Sequence, residues 1–169
     1  DLIYAGAQKN MGPAGTTLVI VKDEILGKTE RKIPTMLDYK THIKKDSMFN
    51  TPPVFPIYVS MLNLQWLKDL GGIETIEKIN QQKAKILYAE IDRNPLFTGT
   101  ANKEDRSNMN ICFLLKDASK EELFNQLCED AGINGIKGHR SVGGYRASIY
   151  NAMPIDSVQV LIDIMKKIK

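Results

Sequence analysis

Ala7-Gln8-Lys9-Asn10-Met11-Gly12-Pro13-Ala14-Gly15 is the stretch on which the reading of this chain turns. It sits between two short runs with strand character: residues 2–5, and the β-branched run 16–22 bounded by Gly15 and Asp23. A lysine in a glycine-rich turn next to a buried strand is suited to amine chemistry. Desolvation or a neighbouring cation lowers its pKa and leaves part of the amine neutral. The glycines let the backbone pass close to a planar group. The spacing is not that of a Walker-type phosphate loop, because the Gly-Lys-Ser/Thr ending is missing. The plainer reading is a solvated turn lysine, and both stay open on this stretch alone.

Two further segments hold residue types suited to anions. Gly138-His139-Arg140-Ser141-Val142-Gly143-Gly144-Tyr145-Arg146-Ala147-Ser148 puts a histidine and two arginines among glycines that leave room for a ligand. Guanidinium forks bind carboxylate and phosphate bidentately, so the loop suits a small dianion, unless its arginines pair with acids of the same domain. Ser47-Met48-Phe49-Asn50-Thr51-Pro52-Pro53 offers hydroxyl, amide and N–H groups ahead of a helix, which either hold an anion or merely cap that helix. His42, in a charged stretch, reads as a surface side chain.

Between these segments the apolar spacing predicts the rest. Residues 23–26 form a single helical turn, and 28–50 is a long excursion without clean periodicity. Val59, Leu62, Trp66 and Leu70 mark a helix over 57–70, its stripe core or a subunit contact. Gly71-Gly72 ends it, and a second helix over 73–93 carries Ile76, Ile79, Lys83, Ile86, Leu87 and Ile91. Strands over 108–115 and 145–150 enclose a helix over 119–131, with Ser119 and Glu122 as a capping box. A final helix spans 154–168. The expected domains are 1–75 and 76–169.

Composition narrows the function classes. With 43% hydrophobic and 25% charged residues, the 169-residue chain is long enough to bury a core without a structural metal. A net charge of +3 gives no case for nucleic acid or membrane binding, and no run approaches transmembrane length. Two cysteines and two histidines offer no metal-site spacing. Cys112 and Cys128, in apolar elements, read as reduced thiols of a cytoplasmic protein, with a disulfide as the alternative. The chain opens at Asp1 straight into an apolar strand-like run, whose unpaired edge calls for a neighbour. A missing N-terminal part is expected.

Taken together, the segments resemble the phosphoserine aminotransferase family, within the class-V aminotransferases. The resemblance covers the whole chain, about half of a family member, and rests on four stretches. These are Ala-Gln-Lys-Asn-Met-Gly-Pro-Ala-Gly at 7–15, Asn-Thr-Pro-Pro at 50–53, Arg-Ser-Asn-Met-Asn at 106–110, and Gly-His-Arg-Ser-Val-Gly-Gly-Tyr-Arg-Ala-Ser-Ile-Tyr-Asn-Ala-Met-Pro at 138–154. The implied architecture is α/β, the pyridoxal-phosphate-dependent transferase fold type I seen in aspartate aminotransferase. Residues 1–75 would end the cofactor-binding large domain, and 76–169 would form the small α+β C-terminal domain.

What the resemblance implies is specific. Lys9 would hold pyridoxal 5'-phosphate through its amine and serve as general base and acid. Gln8 would bind the cofactor phosphate, and Asn50 and Thr51 would reach the phosphate of the other subunit's cofactor, so a homodimer shares the site. His139 and Arg140 would take the substrate phosphate and Arg146 the α-carboxylate. The reaction would join glutamate and 3-phosphohydroxypyruvate to O-phosphoserine and 2-oxoglutarate in serine biosynthesis, with a phosphorylated hydroxythreonine step of vitamin B6 biosynthesis beside it. The family's pyridinium-pairing acid and ring-stacking aromatic have no counterpart here, so these residues alone are expected not to transaminate. Two alternatives remain. One is another class-V enzyme, such as a serine–glyoxylate aminotransferase or cysteine desulfurase, against which the phosphate-suited His139-Arg140 pair argues. The other is a non-enzymatic interaction module.

Overall fold

The computed structural model describes residues 1–139 and 143–168. The chain folds as two compact units, Asp1–Asp69 and Leu70–Lys169. These units divide at 69/70, a few residues ahead of the expected domain boundary at 75/76. Gly71 and Gly72, at φ 112° and 72°, make the break between the two helices, and the first turns of the second helix already pack inward with Ile76 buried.

In the first unit, β1 (Leu2–Gly6) and β2 (Thr17–Val21) form an antiparallel ribbon running from Leu2 opposite Val21 to Gly6 opposite Thr17. A bond from the Ala7 amide to the Thr16 carbonyl (2.8 Å) extends the ribbon by one step and closes the base of the 8–15 turn. A 3-10 turn at Asp23–Ile25 follows, where a single helical turn is expected. The excursion contains a second 3-10 turn and α1 (Tyr39–Ile43), capped by the Asp38 carboxylate accepting from the Lys40 amide at 2.9 Å. α2 (Val54–Asp69) starts three residues before the expected 57, since Pro56 lies in its first turn, where a missing N–H costs nothing.

α2 is apolar on nearly every side, the pattern of a helix meant to be surrounded. Within its own unit it is not. Phe55, Tyr58, Leu62 and Trp66 are all exposed, so the Leu62–Trp66 stripe is not core here. Among the described residues of this unit, only Ala7 and Ser60 are buried.

The second unit is a small α+β domain. α3 (Gly72–Arg93) leads into β3 (Phe97–Gly99), β4 (Asn110–Leu115), α4 (Glu121–Asp130), β5 (Tyr145–Ser148) and α5 (Ile155–Lys167). The strands form one antiparallel sheet in the order β3-β4-β5. Helical spacing buries Ile76, Lys83, Ala84, Leu87 and Ile91 of α3, and Val158, Leu161, Ile162 and Met165 of α5. Between them Phe97, Phe113, Phe124 and Tyr145 pack as an aromatic cluster with centroids 4.8–6.3 Å apart, each pair edge-on, tilted or stacked.

Three local expectations are corrected. β3 is absent from the sequence reading, because three residues after Asn94-Pro95 show no alternation; its pairing with β4 makes it a strand. Asp117 caps the 3-10 turn Ala118–Lys120 that leads into α4, its carboxylate accepting from the Ser119 amide (3.0 Å) and hydroxyl (2.7 Å), so Ser119 is a donor and not the capping acceptor. β5 stops at Ser148, not at 150, because the carbonyls of Ile149 and Tyr150 leave the ladder for the Lys83 ammonium. Both thiols are free, Cys112 half-buried and Cys128 buried, where burial pushes the Cys128 thiol up to about 11.

Candidate functional site

The turn between β1 and β2 is short and tied down at several points. Lys9 stands at φ 96°, a left-handed backbone that costs a side-chain-bearing residue roughly 1–2 kcal/mol. Its amide donates to the Gly12 carbonyl at 2.8 Å, and the Met11 amide donates to the Ala7 carbonyl at 3.2 Å. Gln8 and Gly12 form a parallel bridge. α2 then fixes the turn from outside, since Asn63 Nδ2 donates to the Asn10 carbonyl at 2.8 Å. Gly12 presses on Ser60 so closely that a Cβ there would strike the Ser60 hydroxyl. The side chains of Gln8 and Lys9 are exposed on this frame. Nearby, the hydroxyls of Thr16 and Ser60 are buried without a hydrogen-bond partner among the described residues.

Asn50 and Thr51 lie in the same unit, exposed just ahead of α2. Asn50 Nδ2 donates to the Thr51 carbonyl at 3.0 Å, which orders the pair locally but does not cap the helix. His42 is not a simple surface side chain. It is half-buried, hydrogen-bonded through Nε2 to the Met36 carbonyl at 2.9 Å, and edge-on to Phe49. It holds the excursion together.

In the second unit His139 and Arg146 are both exposed, and Arg140 lies outside the described residues. The segment folds back on itself: the Gly143 amide donates to the His139 carbonyl at 2.9 Å, and the Gly138 amide to the Gly144 carbonyl at 2.8 Å. Gly138 leaves no room for a Cβ, which would collide with the Gly143 carbonyl. Strand alternation sends Tyr145 and Ala147 into the core and Arg146 outward, with Cys112 its cross-strand partner. Arg146 forms no ion pair among the described residues, which leaves its fork available for an external carboxylate. It lines a cavity of about 400 Å³ together with Asn134, Ser148, Met153 and Ser157.

Sequence reasoning did not single out the polar residues beside Arg146. Ser148 Oγ donates to Asn110 Oδ1 at 3.1 Å, and Asn110 Nδ2 donates to the Tyr150 hydroxyl at 3.1 Å. The period-two alternation of 110–115 and 145–148 was the available signal, because it puts Asn110, Cys112, Arg146 and Ser148 on one face. Arg106, by contrast, is structural. It grips Asp92 bidentately at 2.8 and 2.6 Å and lies 4.4 Å over the Tyr88 ring. The hydrogen bond from Arg106 holds the Asp92 carboxyl below the usual carboxylate range.

Similarity to known proteins extends over nearly the whole chain. The aminotransferase class-V family model matches residues 1–161. The phosphoserine aminotransferase of Flavobacterium psychrophilum is 70% identical over 169 residues, covering 100% of this chain and 48% of that protein. A structure describing radiation damage of the Schiff base in phosphoserine aminotransferase superposes with a TM-score of 0.90 at 51% identity, covering 98% of this chain and 46% of the other. The pyridoxal-phosphate-bound phosphoserine aminotransferase of Trichomonas vaginalis gives 0.89 at 38% identity, covering 98% and 48%. The chain thus spans about half the length of the relatives it matches, in a fold they share from its first strand to its last helix. On the match over 1–161, the chain belongs to the class-V aminotransferase family.

Proposed function

We propose that this chain carries the lysine and the substrate-binding arginines of a pyridoxal-phosphate-dependent phosphoserine aminotransferase. The observation that carries the reading is Lys9, a side-chain-bearing residue kept at φ 96° in a turn anchored at both ends. Strain of that kind persists where the surroundings over-determine it, and it gathers at functional sites.

The residues of the turn fit the cofactor's chemistry. An aldehyde needs an exposed amine, which Lys9 offers. A phosphate needs hydrogen-bond donors, and the Gln8 amide supplies them on the same turn. Asn50 and Thr51 offer an amide and a hydroxyl to the phosphate held by a partner subunit in a homodimer. When bound, pyridoxal phosphate withdraws electrons from the substrate Cα and so eases loss of its proton. Lys9 takes that proton as the base and returns it as the acid, its amine tethered where the turn puts it. Arg146 grips the α-carboxylate with its fork, and His139 and Arg140 take the phosphate at the other end of the three-carbon acid. Glutamate presents a carboxylate where phosphoserine presents a phosphate, so the same cations serve both half-reactions.

On this reading the enzyme acts in the cytoplasm, in serine biosynthesis and at the phosphohydroxythreonine step towards vitamin B6. Residues 1–75 belong to the cofactor-binding large domain and 76–169 to the small domain.

Borohydride reduction of the protein at the full length of its relatives, loaded with pyridoxal phosphate, tests the cofactor half. The expected result is a reduced adduct on the Lys9 peptide; an adduct on another lysine, or none, sinks the reading. Arg146→Lys tests the substrate half. Loss of the bidentate grip should weaken phosphoserine and glutamate alike by about 1–3 kcal/mol, read as raised KM for both.

A further inference from the structure

Lys83 is completely buried, yet it has no carboxylate partner among the described residues. Its ammonium donates to three backbone carbonyls instead: Ile149 at 3.1 Å, Tyr150 at 2.9 Å and Met153 at 3.0 Å. All three of its protons are therefore used, and all three acceptors belong to the turn that joins β5 to α5. One helical turn earlier, Asn80 Nδ2 donates to Asn151 Oδ1 in that same turn at 2.8 Å. A buried ammonium among neutral dipoles is an expensive way to fill space, since an apolar side chain of the same length would avoid the desolvation.

The strand ahead of that turn explains the arrangement. β5 has only four residues. Beyond β4, its other edge is met, among the described residues, by the Lys137–Tyr145 bridge and the bond from the Arg146 amide to the Ile136 carbonyl at 2.7 Å. Gly143 and Gly144, at φ 75° and 63°, precede it and give no stiffness. A slip of one residue would send Arg146 into the core and Ala147 to the open face, because strand side chains alternate. The far end is fixed where the Ile149 amide donates to the Met109 carbonyl at 2.9 Å and the Ile149 carbonyl turns to Lys83.

We propose that Lys83 is a positioning residue that pins the register of β5, and through it the aim of Arg146, by gathering the carbonyls of the following turn. Its consequence for substrate rests on the assignment of Arg146 made above. Lys83 itself touches neither substrate nor cofactor.

The test uses the full-length, cofactor-loaded protein with Lys83→Met, which keeps volume and removes the donors, and Lys83→Gln, which keeps two neutral donors should the first variant fail to fold. Amide hydrogen exchange is followed by mass spectrometry alongside steady-state kinetics. The expected result is exchange faster by about tenfold or more in the 145–151 segment than in the rest of the second unit. KM for both amino acids should rise about tenfold with kcat within about threefold, and Lys83→Met should add little to Arg146→Lys in the double variant. Lys83→Gln should fall between Lys83→Met and the parent. Unchanged exchange in 145–151, a uniform loss of protection throughout the unit, or fully multiplicative effects with Arg146→Lys would overturn the proposal. An unchanged KM in Arg146→Lys would refute the substrate assignment instead, and the exchange data would then decide the register claim without it.

Discussion

The two units differ in almost every physical respect that matters for folding. Leu70–Lys169 buries an aromatic cluster, most of one face of α3 and most of one face of α5. Asp1–Asp69 buries little beyond Ala7 and Ser60, and leaves Ile3, Tyr4, Phe55 and Tyr58 exposed. Yet the strained lysine turn, the feature most specific to chemistry, lies in the unit with the thinner core. The strained lysine turn and the larger core thus lie in different parts of the chain. The second unit can hold an arginine in place with its own packing, whereas the first holds Lys9 mainly with backbone bonds and the contact of Gly12 on α2.

The largest effect that would break this contrast is independent folding. Expressed as separate chains, residues 70–169 should give a cooperative thermal transition by circular dichroism, and residues 1–69 should give none. A cooperative transition from the first unit alone would show that its exposed apolar residues are not the deficit described here.

Next in size is truncation of the core. Phe124, fully buried against Phe97, Phe113 and Tyr145, should cost about 3–5 kcal/mol as Phe124→Ala in urea unfolding of the chain. Trp66→Ala, at a side chain 40% exposed in α2, should cost well under half as much despite the larger deletion. Equal losses would erase the distinction between the units.

Alkaline pH sharpens it further. Burial raises the Cys128 thiol to about 11 and the Tyr145 phenol to about 12, from ordinary values of 9.0 and 10.0. Between each pair of values the folded chain keeps a proton that the unfolded chain has lost, so stability falls as pH rises through this range. Lys83 acts in the opposite sense, because burial lowers its pKa from 10.5 and the unfolded chain binds more protons just below that value. With Cys128, Tyr145 and the Tyr88 phenol, which burial also raises, against Lys83 alone, the net slope above about pH 9 is downward, by up to roughly 1.4 kcal/mol per pH unit per net proton. Tyr145→Phe should flatten the upper part of the decline, at the expense of the hydrogen bond to Asn125. A profile flat to pH 12 would contradict the burial of both groups.

The smallest effect concerns the strained turn. Lys9→Gly should stabilise the first unit by about 0.5–1 kcal/mol, since glycine adopts φ 96° without Cβ strain, while removing the amine that would hold the cofactor. Chemical denaturation of the full-length apoprotein measures it. A destabilised variant would mean that the Lys9 side chain contributes contacts exceeding its backbone cost.

Much of this was legible in the sequence because it is written locally. The β-branched run before Asp23, the helical spacing of Ile76, Leu87 and Ile91, and the Gly71-Gly72 break each state their own conformation. β3 was not legible, because a three-residue strand is defined by its neighbour. The Asp117 cap was missed for a related reason, since Ser119 and Glu122 satisfied a familiar pattern starting two residues further on. Lys83 stood in plain view among the apolar positions of α3, but nothing local says that three carbonyls 66 to 70 residues away would gather on it.

By itself the sequence determined the lysine-bearing turn, the arginine-bearing strand, the α/β character and the family, because short-range sterics and side-chain chemistry are carried by adjacent residues. Only the tertiary structure decided that Lys9 is strained, that Arg146 faces outward while Arg106 is consumed by Asp92, and that a buried lysine secures the turn behind β5. These are outcomes of long-range packing, where burial and the need to satisfy every polar group choose among conformations that the local sequence allows equally.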